Sequence, residues 1–206
     1  MFRSAAKLAV RGCRASAGVT GKTVMAGTRR QMSISVNVEQ KALFSELGEG
    51  SMWWAERSAL LFLDIMKGHI KIYNPESGEL DIHHIGKPVG TVVLRNSSNS
   101  DEAILLGTKD GIEEYNVETR KLVPLAPVEA ELDGNRANDG KCDPQGRFWL
   151  GTMSLTLERG AGHLWFFDEN GKVSQRCSEH SFSVCNGITW SQDLKHMYFV
   201  DSPVGS

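Results

Sequence analysis

Short apolar runs return along this chain at a nearly constant spacing. Residues 60–65, 103–108, 147–152 and 196–201 each have the length of a β-strand. Aligning them on Phe62, Leu105, Trp149 and Tyr198 gives spacings of 43, 44 and 49 residues. Each run ends in a small or acidic residue: Asp64, Gly107-Thr108, Gly151-Thr152 or Asp201. A second strand-like segment follows in three of the repeats, at 69–73, 111–116 and 163–168. Turn residues come next, as Asn74-Pro75-Glu76-Ser77-Gly78, Val117-Glu118-Thr119 and Glu169-Asn170-Gly171. Asn and Gly accept positive φ and Pro holds φ near its turn value, so these stretches reverse the chain. A short outer strand then fits 80–84 and 121–123. A strand-only repeat of about 40–50 residues is the length of one four-stranded propeller blade. No long amphipathic helix competes after residue 45. The expected fold class is therefore all-β, a propeller truncated to about four partial blades.

The amino-terminal stretch has a different composition. Met1 to Val38 hold no Asp or Glu, while Arg3, Lys7, Arg11, Arg14, Lys22, Arg29 and Arg30 supply positive charge. Phe2, Ala5, Ala6, Leu8, Ala9 and Val10 interleave with the first of these, a pattern that suits a basic amphipathic helix. Acid-poor, Arg- and Ser-rich and amphipathic describes an organellar transit peptide. The expectation is a mitochondrial (or plastid) presequence over residues 1–32, disordered before import, with processing near Arg29-Arg30-Gln31-Met32-Ser33. The alternative is a basic disordered tail. The propeller segment is expected to occupy 39–206.

Composition excludes several classes. The 206 residues carry a formal net charge of −2, which provides no electrostatic reason for nucleic-acid binding. An apolar content of 40 % supports a folded core. No run approaches the roughly 18–20 apolar residues that a spanning helix needs, so a soluble protein is expected. Cys142, Cys177 and Cys185 form no Cys-x-x-Cys, Cys13 falls in the presequence, and His83-His84 has no zinc-motif context. Asn96-Ser97-Ser98 matches a glycosylation sequon that an organellar protein would leave unused.

The stretch Asn135-Arg136-Ala137-Asn138-Asp139-Gly140-Lys141 is densely polar, and a strand-like segment follows it. Its neighbours recur. Gly48-Glu49-Gly50, Val89-Gly90, Asn138-Asp139-Gly140 and Asn186-Gly187 each open the first strand of a repeat. In a propeller that innermost strand lines the channel, so Glu49, Asn138 and Asn186 are expected on one rim. One carboxylate and two amide oxygens form a hard donor set, suited to Ca²⁺, Mg²⁺ or Mn²⁺ more than to zinc. The competing reading for each is a tight turn at a blade corner. Arg136 lies two residues before Asn138, so strand alternation would aim both the same way. Its guanidinium suits a carboxylate, a phosphate or a lactone oxygen, or a surface ion pair. Asp139 reads chiefly as a turn residue. Trp53, Trp54, Trp149, Trp165 and Trp190 are expected to pack between blades, and Glu56-Arg57 and Glu113-Glu114 to be solvated.

Taken in order, these motifs resemble a known family. Leu47-Gly48-Glu49-Gly50-Ser51-Met52-Trp53 is followed by Leu61-Phe62-Leu63-Asp64-Ile65, then by Asn135 to Lys141. Asp143-Pro144-Gln145-Gly146-Arg147, Gly151-Thr152-Met153 and Asn186-Gly187-Ile188-Thr189-Trp190-Ser191 complete the set. The pattern, over about residues 44–202, is similar to the amino-terminal half to two-thirds of the regucalcin / senescence-marker / gluconolactonase family. The resemblance implies a six-bladed β-propeller with one divalent metal in its channel, Ca²⁺ or Zn²⁺, with Mn²⁺ or Mg²⁺ as alternatives. It implies hydrolysis of a small-molecule sugar lactone, by Lewis-acid polarisation of the carbonyl and activation of water, with no covalent nucleophile. By position, Glu49 and Asn186 match metal ligands, and Arg136 and Asn138 match substrate-contacting residues. A monomer is expected of the complete protein. Two departures stand out. A further metal-binding Asp, the acid/base candidate, belongs to a later blade beyond Ser206. A substrate-contacting Glu of the family aligns near Thr156, and Glu158 is out of register with it. The expectation is a fragment or incomplete gene product, or else a short product that oligomerises to close the ring. The rival functional readings are a calcium-binding regulatory propeller without turnover, a generic interaction scaffold, and a phosphotriester hydrolase of the same family.

Overall fold

The computed structural model describes residues 44–95 and 102–204. The expected presequence at 1–32, Cys13 and the sequon at Asn96 lie outside the described residues. Among the described residues, fourteen strands form three antiparallel four-stranded sheets and one two-stranded sheet. The first blade is β1 (Gly48–Trp54), β2 (Ala59–Asp64), β3 (His69–Tyr73) and β4 (Leu80–His84). The second is β5 (Val89–Leu94), β6 (Ala103–Thr108), β7 (Gly111–Asn116) and β8 (Lys121–Pro127). The third is β9 (Asn135–Cys142), β10 (Phe148–Ser154), β11 (Leu164–Phe167) and β12 (Val173–Arg176), and β13 (Cys185–Trp190) pairs with β14 (Met197–Asp201). Each sheet is a meander in sequence order. The inner strands of successive blades meet, β1 with β5, β5 with β9 and β9 with β13, as in a propeller.

Local chemistry explains the meander. The Asn74 carboxamide accepts the N–H groups of Glu76 and Ser77 at 2.9 and 3.1 Å, and Asn116 does the same for Glu118 and Thr119 at 3.1 and 2.7 Å. Asp168 accepts from Asn170 and Lys172, both at 2.9 Å. These Asx turns reverse the chain between third and fourth strands. The acidic ends of the apolar runs have a related task. Asp64 accepts the N–H groups of Glu46 (3.0 Å) and Leu47 (3.3 Å), and Asp201 those of Ser183 and Val184 (3.1 and 2.8 Å). Each carboxylate thereby holds the chain that enters its blade's inner strand.

Two apolar clusters fill the spaces between blades. Leu61, Leu63 and Ile70 of the first blade pack with Val89, Val92, Ile104, Leu106 and Tyr115 of the second. Val93, Leu105 and Ile112 of the second pack with Ala137, Phe148 and Leu150 of the third. Ile104 and Leu106 thus face one neighbour while Leu105 faces the other, the period-2 alternation of a strand. Both faces are buried, and this is why these strands read as unbroken apolar runs rather than alternating ones. Each fully buried aliphatic side chain contributes about 1.5–3 kcal/mol.

The register corrects several expectations in detail. Pairing aligns Asp64, Thr108, Thr152 and Asp201, opposite Gly48, Val89, Ala137 and Cys185 respectively. Leu61, not Phe62, then corresponds to Leu105, Trp149 and Tyr198. The outer strand expected at 121–123 continues to Pro127, an edge position where a missing N–H is tolerated. The polar stretch from Asn135 lies within strand β9 rather than ahead of it. Trp54 is buried as expected, whereas Trp53 is 53 % exposed. Glu113 is buried, not solvated: it accepts from Thr108 Oγ1 at 2.8 Å and pairs with Lys87 at 3.0 Å. Cys142, Cys177 and Cys185 are free thiols.

Candidate functional site

Every inner strand carries a β-bulge near its start. The register slips between Glu49 and Met52 in β1, Val89 and Thr91 in β5, and Asn186 and Ile188 in β13. In β9 the slip falls at Asn138, because Ala137 pairs with Thr152 and Asp139 with Gly151. Gly48, Val89, Ala137 and Cys185 form the equivalent rung, so the next residues are equivalent too: Glu49, Gly90, Asn138 and Asn186. The expected rim positions therefore recur at one place in four blades. A bulge re-aims a side chain and raises the local twist, and such bulges gather beside functional sites. In the second blade the position is glycine, with a structural reason. A Cβ on Gly90 would lie 2.0 Å from the Ala137 carbonyl oxygen and 2.7 Å from the Asn138 nitrogen. The backbone of β5 presses directly on the peptide that carries Asn138.

Arg136 and Asn138 meet. Arg136 Nη1 donates to Asn138 Oδ1 at 2.9 Å and to the Ala137 carbonyl at 2.8 Å. Simple alternation does not account for this, since the bulge intervenes. Arg136 is 5 % exposed, its Nε has no hydrogen-bond partner, and it makes no ion pair with any described residue. Burial lowers its pKa from the ordinary arginine value, yet a guanidinium stays cationic at neutral pH. A buried cation with an unmet donor is costly unless an anion or an oxygen-rich group satisfies it.

Asn138 and Asp139 reach across to the fourth blade. Asn138 Nδ2 donates to the Cys185 carbonyl at 2.9 Å, and Asp139 Oδ2 accepts from the Gly187 N–H at 2.8 Å. Asp139 Oδ1 also accepts the Gly140 N–H at 2.7 Å, so the expected turn role is only part of what it does. Asn186 Nδ2 donates to Ser202 Oγ at 3.0 Å, which leaves its Oδ1 without a donor among the described residues. Glu49 is exposed and makes no hydrogen bond or ion pair with a described residue.

By kind, the donor set fits a hard divalent cation. The Glu49 carboxylate and the Asn186 amide oxygen are both oxygen donors not already taken. Asn138 Oδ1 accepts from a guanidinium, which favours a role beside the cation over direct ligation. Two protein donors make a partial shell for an ion that takes about 6–8 oxygens. Among the described residues no group of three or more His, Cys, Asp and Glu forms a separate cluster of that kind.

One buried group escaped sequence reasoning. Glu129, in the loop before β9, is 5 % exposed and has a φ of +50°. Its Oε1 accepts from Thr152 Oγ1 (3.0 Å) and Trp165 Nε1 (2.9 Å) and lies 2.7 Å from His163 Nδ1, while Oε2 accepts from Asn135 Nδ2 at 2.8 Å. It ties the residue before Arg136 to β10 and β11. Its partners lie up to 36 residues away, so nothing in the local sequence signals its burial.

Comparison with known proteins bears on this geometry. The family model described as the SMP-30/Gluconolactonase/LRE-like region matches residues 47–206. Regucalcin of Xenopus laevis is 31 % identical over 162 residues, with 76 % of this chain and 52 % of the relative covered. A Bacillus subtilis protein whose name assigns it, provisionally, to the sugar lactone lactonases is 29 % identical over 157 residues, with the same coverage. A solved regucalcin from Agrobacterium tumefaciens, described as a calcium-binding protein, superposes with a TM-score of 0.71 at 29 % identity and covers 78 % of this chain and 52 % of that one. The chain spans about half the length of the curated relatives it matches, at 52 % of the Xenopus protein. With a family model matched over most of its length and the same propeller blades, this chain belongs to the SMP-30/gluconolactonase/LRE-like family.

Proposed function

We propose that this chain contributes the amino-terminal blades of a divalent-cation-dependent hydrolase of sugar lactones. The observation that carries the reading is Arg136: a buried guanidinium with an unsatisfied Nε, held against Asn138. Such a group binds the ring or carbonyl oxygen of a lactone and the carboxylate that ring opening produces. Asn138 holds the guanidinium in place. Glu49 and Asn186 would hold the cation, either Ca²⁺ or Zn²⁺, with Mn²⁺ or Mg²⁺ as alternatives. When bound, it would supply Lewis-acid polarisation of the lactone carbonyl and activation of water. A relative named as a sugar lactone lactonase supports the substrate class. The test is hydrolysis of gluconolactone by the full-length protein with Ca²⁺, Mn²⁺ or Zn²⁺, repeated with Glu49→Gln and Arg136→Lys. Loss of rate in both variants is expected. Undiminished hydrolysis by Glu49→Gln would remove the cation assignment.

A second reading is cation binding without turnover. The all-oxygen donors favour it, as does a relative described as a calcium-binding protein. It predicts calorimetric Ca²⁺ binding and no hydrolysis of any lactone. Mitochondrial import through residues 1–32 is a further part of the proposal, supported by their basic, acid-free composition. Fusing them to a fluorescent protein tests it; a diffuse cytosolic signal would refute it. No described helix is long and apolar enough to cross a membrane.

A further inference from the structure

The peptide that carries Asn186 is gripped on both sides by the neighbouring blade. Before it, the Cys185 carbonyl accepts from Asn138 Nδ2 at 2.9 Å; after it, the Gly187 N–H donates to Asp139 Oδ2 at 2.8 Å. These are consecutive residues of β9 acting on consecutive peptides of β13. The second contact falls at the bulge of β13, where Gly187 has a φ of +46°. A bulge residue lacks its ladder partner, so its N–H needs another acceptor. Asp139 supplies one that is charged and therefore strong. Its other oxygen accepts the Gly140 N–H at 2.7 Å, which fixes the carboxylate on its own strand. Close packing also holds β13 against β10, the strand paired with β9: a Cβ on Gly151 of β10 would lie 2.3 Å from that of Cys185. On the far side, Asn186 Nδ2 is engaged by Ser202 Oγ at 3.0 Å. Backbone and carboxamide nitrogen are thus both held, and the carboxamide oxygen is the atom left available.

We infer that Asp139 is a positioning residue whose grip on the Gly187 N–H, with the grip of Asn138 on the Cys185 carbonyl, orients the Asn186 carboxamide oxygen as a cation donor. The inference rests on the reading of Asn186 as a ligand. Asp139 acts through backbone, without touching the cation. Groups that orient metal ligands from behind typically change affinity by about 10- to 100-fold when removed.

The test uses the full chain and Mn²⁺ alone as the probe. Calorimetry gives the Mn²⁺ affinity of the unaltered chain, Asp139→Ala, Asp139→Asn and Glu49→Gln, and amide hydrogen exchange is followed at Gly187 and Leu61. The expected result for Asp139→Ala is about 10- to 100-fold weaker binding, with faster exchange at Gly187 and unchanged exchange at Leu61 in the first blade. Asp139→Asn keeps one acceptor oxygen where two serve; turned toward the Gly187 N–H, it leaves its NH2 facing the Gly140 N–H, so it is expected to recover part of the affinity, which a merely destabilised fold would not show. If Asp139→Ala binds Mn²⁺ as tightly as the unaltered chain while Glu49→Gln does not, the positioning role is wrong and the ligand assignment stands. If the unaltered chain does not bind Mn²⁺, both fall. If Asp139→Ala fails to fold, the decision passes to Asp139→Asn: slow Gly187 exchange and partly retained affinity support the inference, and normal exchange with lost affinity overturns it.

Discussion

Substituting Gly90 by alanine tests whether contact between inner strands sets the site. Gly90 adopts no left-handed φ, so the backbone itself accepts alanine. The obstacle is steric. The added Cβ would lie 2.0 Å from the Ala137 oxygen, 2.3 Å from its carbonyl carbon and 2.7 Å from the Asn138 nitrogen. Non-bonded heavy atoms settle at about 3.5–4.0 Å, so β5 and β9 must part by more than about 1 Å. All three obstructing atoms are backbone, and no side chain can swing aside. Overpacking of this kind costs about 1–3 kcal/mol, and each kcal/mol moves the thermal midpoint by roughly 2–4 °C in a domain of this size. The displaced peptide carries Asn138, which holds Arg136. A shift of about 1 Å at such a group can lower a reaction rate about 10²-fold. The assay is thermal unfolding together with gluconolactone hydrolysis, with Gly134→Ala as control because no atom lies within 4 Å of its added Cβ. If Gly90→Ala and Gly134→Ala unfold at the same temperature, the reasoning fails.

Other positions yield predictions of the same kind. Replacing Glu129 by glutamine leaves one acceptor oxygen where two serve, setting donor against donor at Asn135 or around Thr152, His163 and Trp165. The expected loss is about 1–3 kcal/mol in a urea titration, and an unchanged midpoint would show that water satisfies this group. His83 is buried between the first two blades, with Nδ1 3.0 Å from the Tyr115 hydroxyl. Its Nε2 lies 3.0 Å from Asp81 Oδ2 but is not aligned for a hydrogen bond. Burial depresses its pKa; Asp81 opposes the shift, and Arg120 and Arg57 add to it. The unfolded chain therefore takes up the proton first as pH falls. The stability contribution is present above about pH 6.5 and lost below it. In His83→Gln the slope of stability against pH between about 7 and 5 should flatten; an unchanged slope would assign that dependence elsewhere. Leu150 is fully buried between the second and third blades, and Leu150→Ala should cost about 2–5 kcal/mol by chemical denaturation. A loss near zero would mean that those blades do not pack as described.

The strands were legible because their causes are local. Asn74, Asn116 and Asp168 turn the chain through their own side chains, within four residues, and any reader of the sequence meets those residues together. The spacing of the runs was also informative, since blades packed on both faces need unbroken apolar strands. It also marked one recurring position: Glu49, Asn138 and Asn186 hold the same register position in their blades. The one-residue slip at Phe62 arose because a run buried on both faces lacks alternation, so nothing in it distinguishes Leu61 from its neighbour.

By itself, then, the sequence determined the strand order, the repeat and the position at which Glu49, Asn138 and Asn186 recur. Turn chemistry and hydrophobic patterning act between near neighbours, and they survive reduction to a string. Tertiary structure alone decided which polar groups are buried and who satisfies them. Glu113 reads as a solvated charge until donors outside its strand close around it, and nothing near Glu129 in the sequence announces its burial. Asp139 passes for a turn residue until Gly187, 48 positions later, presents its N–H. Arg136 and Asn138 meet across a bulge in β9, so their contact is not the outcome of the simple alternation read from the sequence. The free energy of a buried polar group depends on partners that the fold brings from far along the chain, and no short window of sequence contains them.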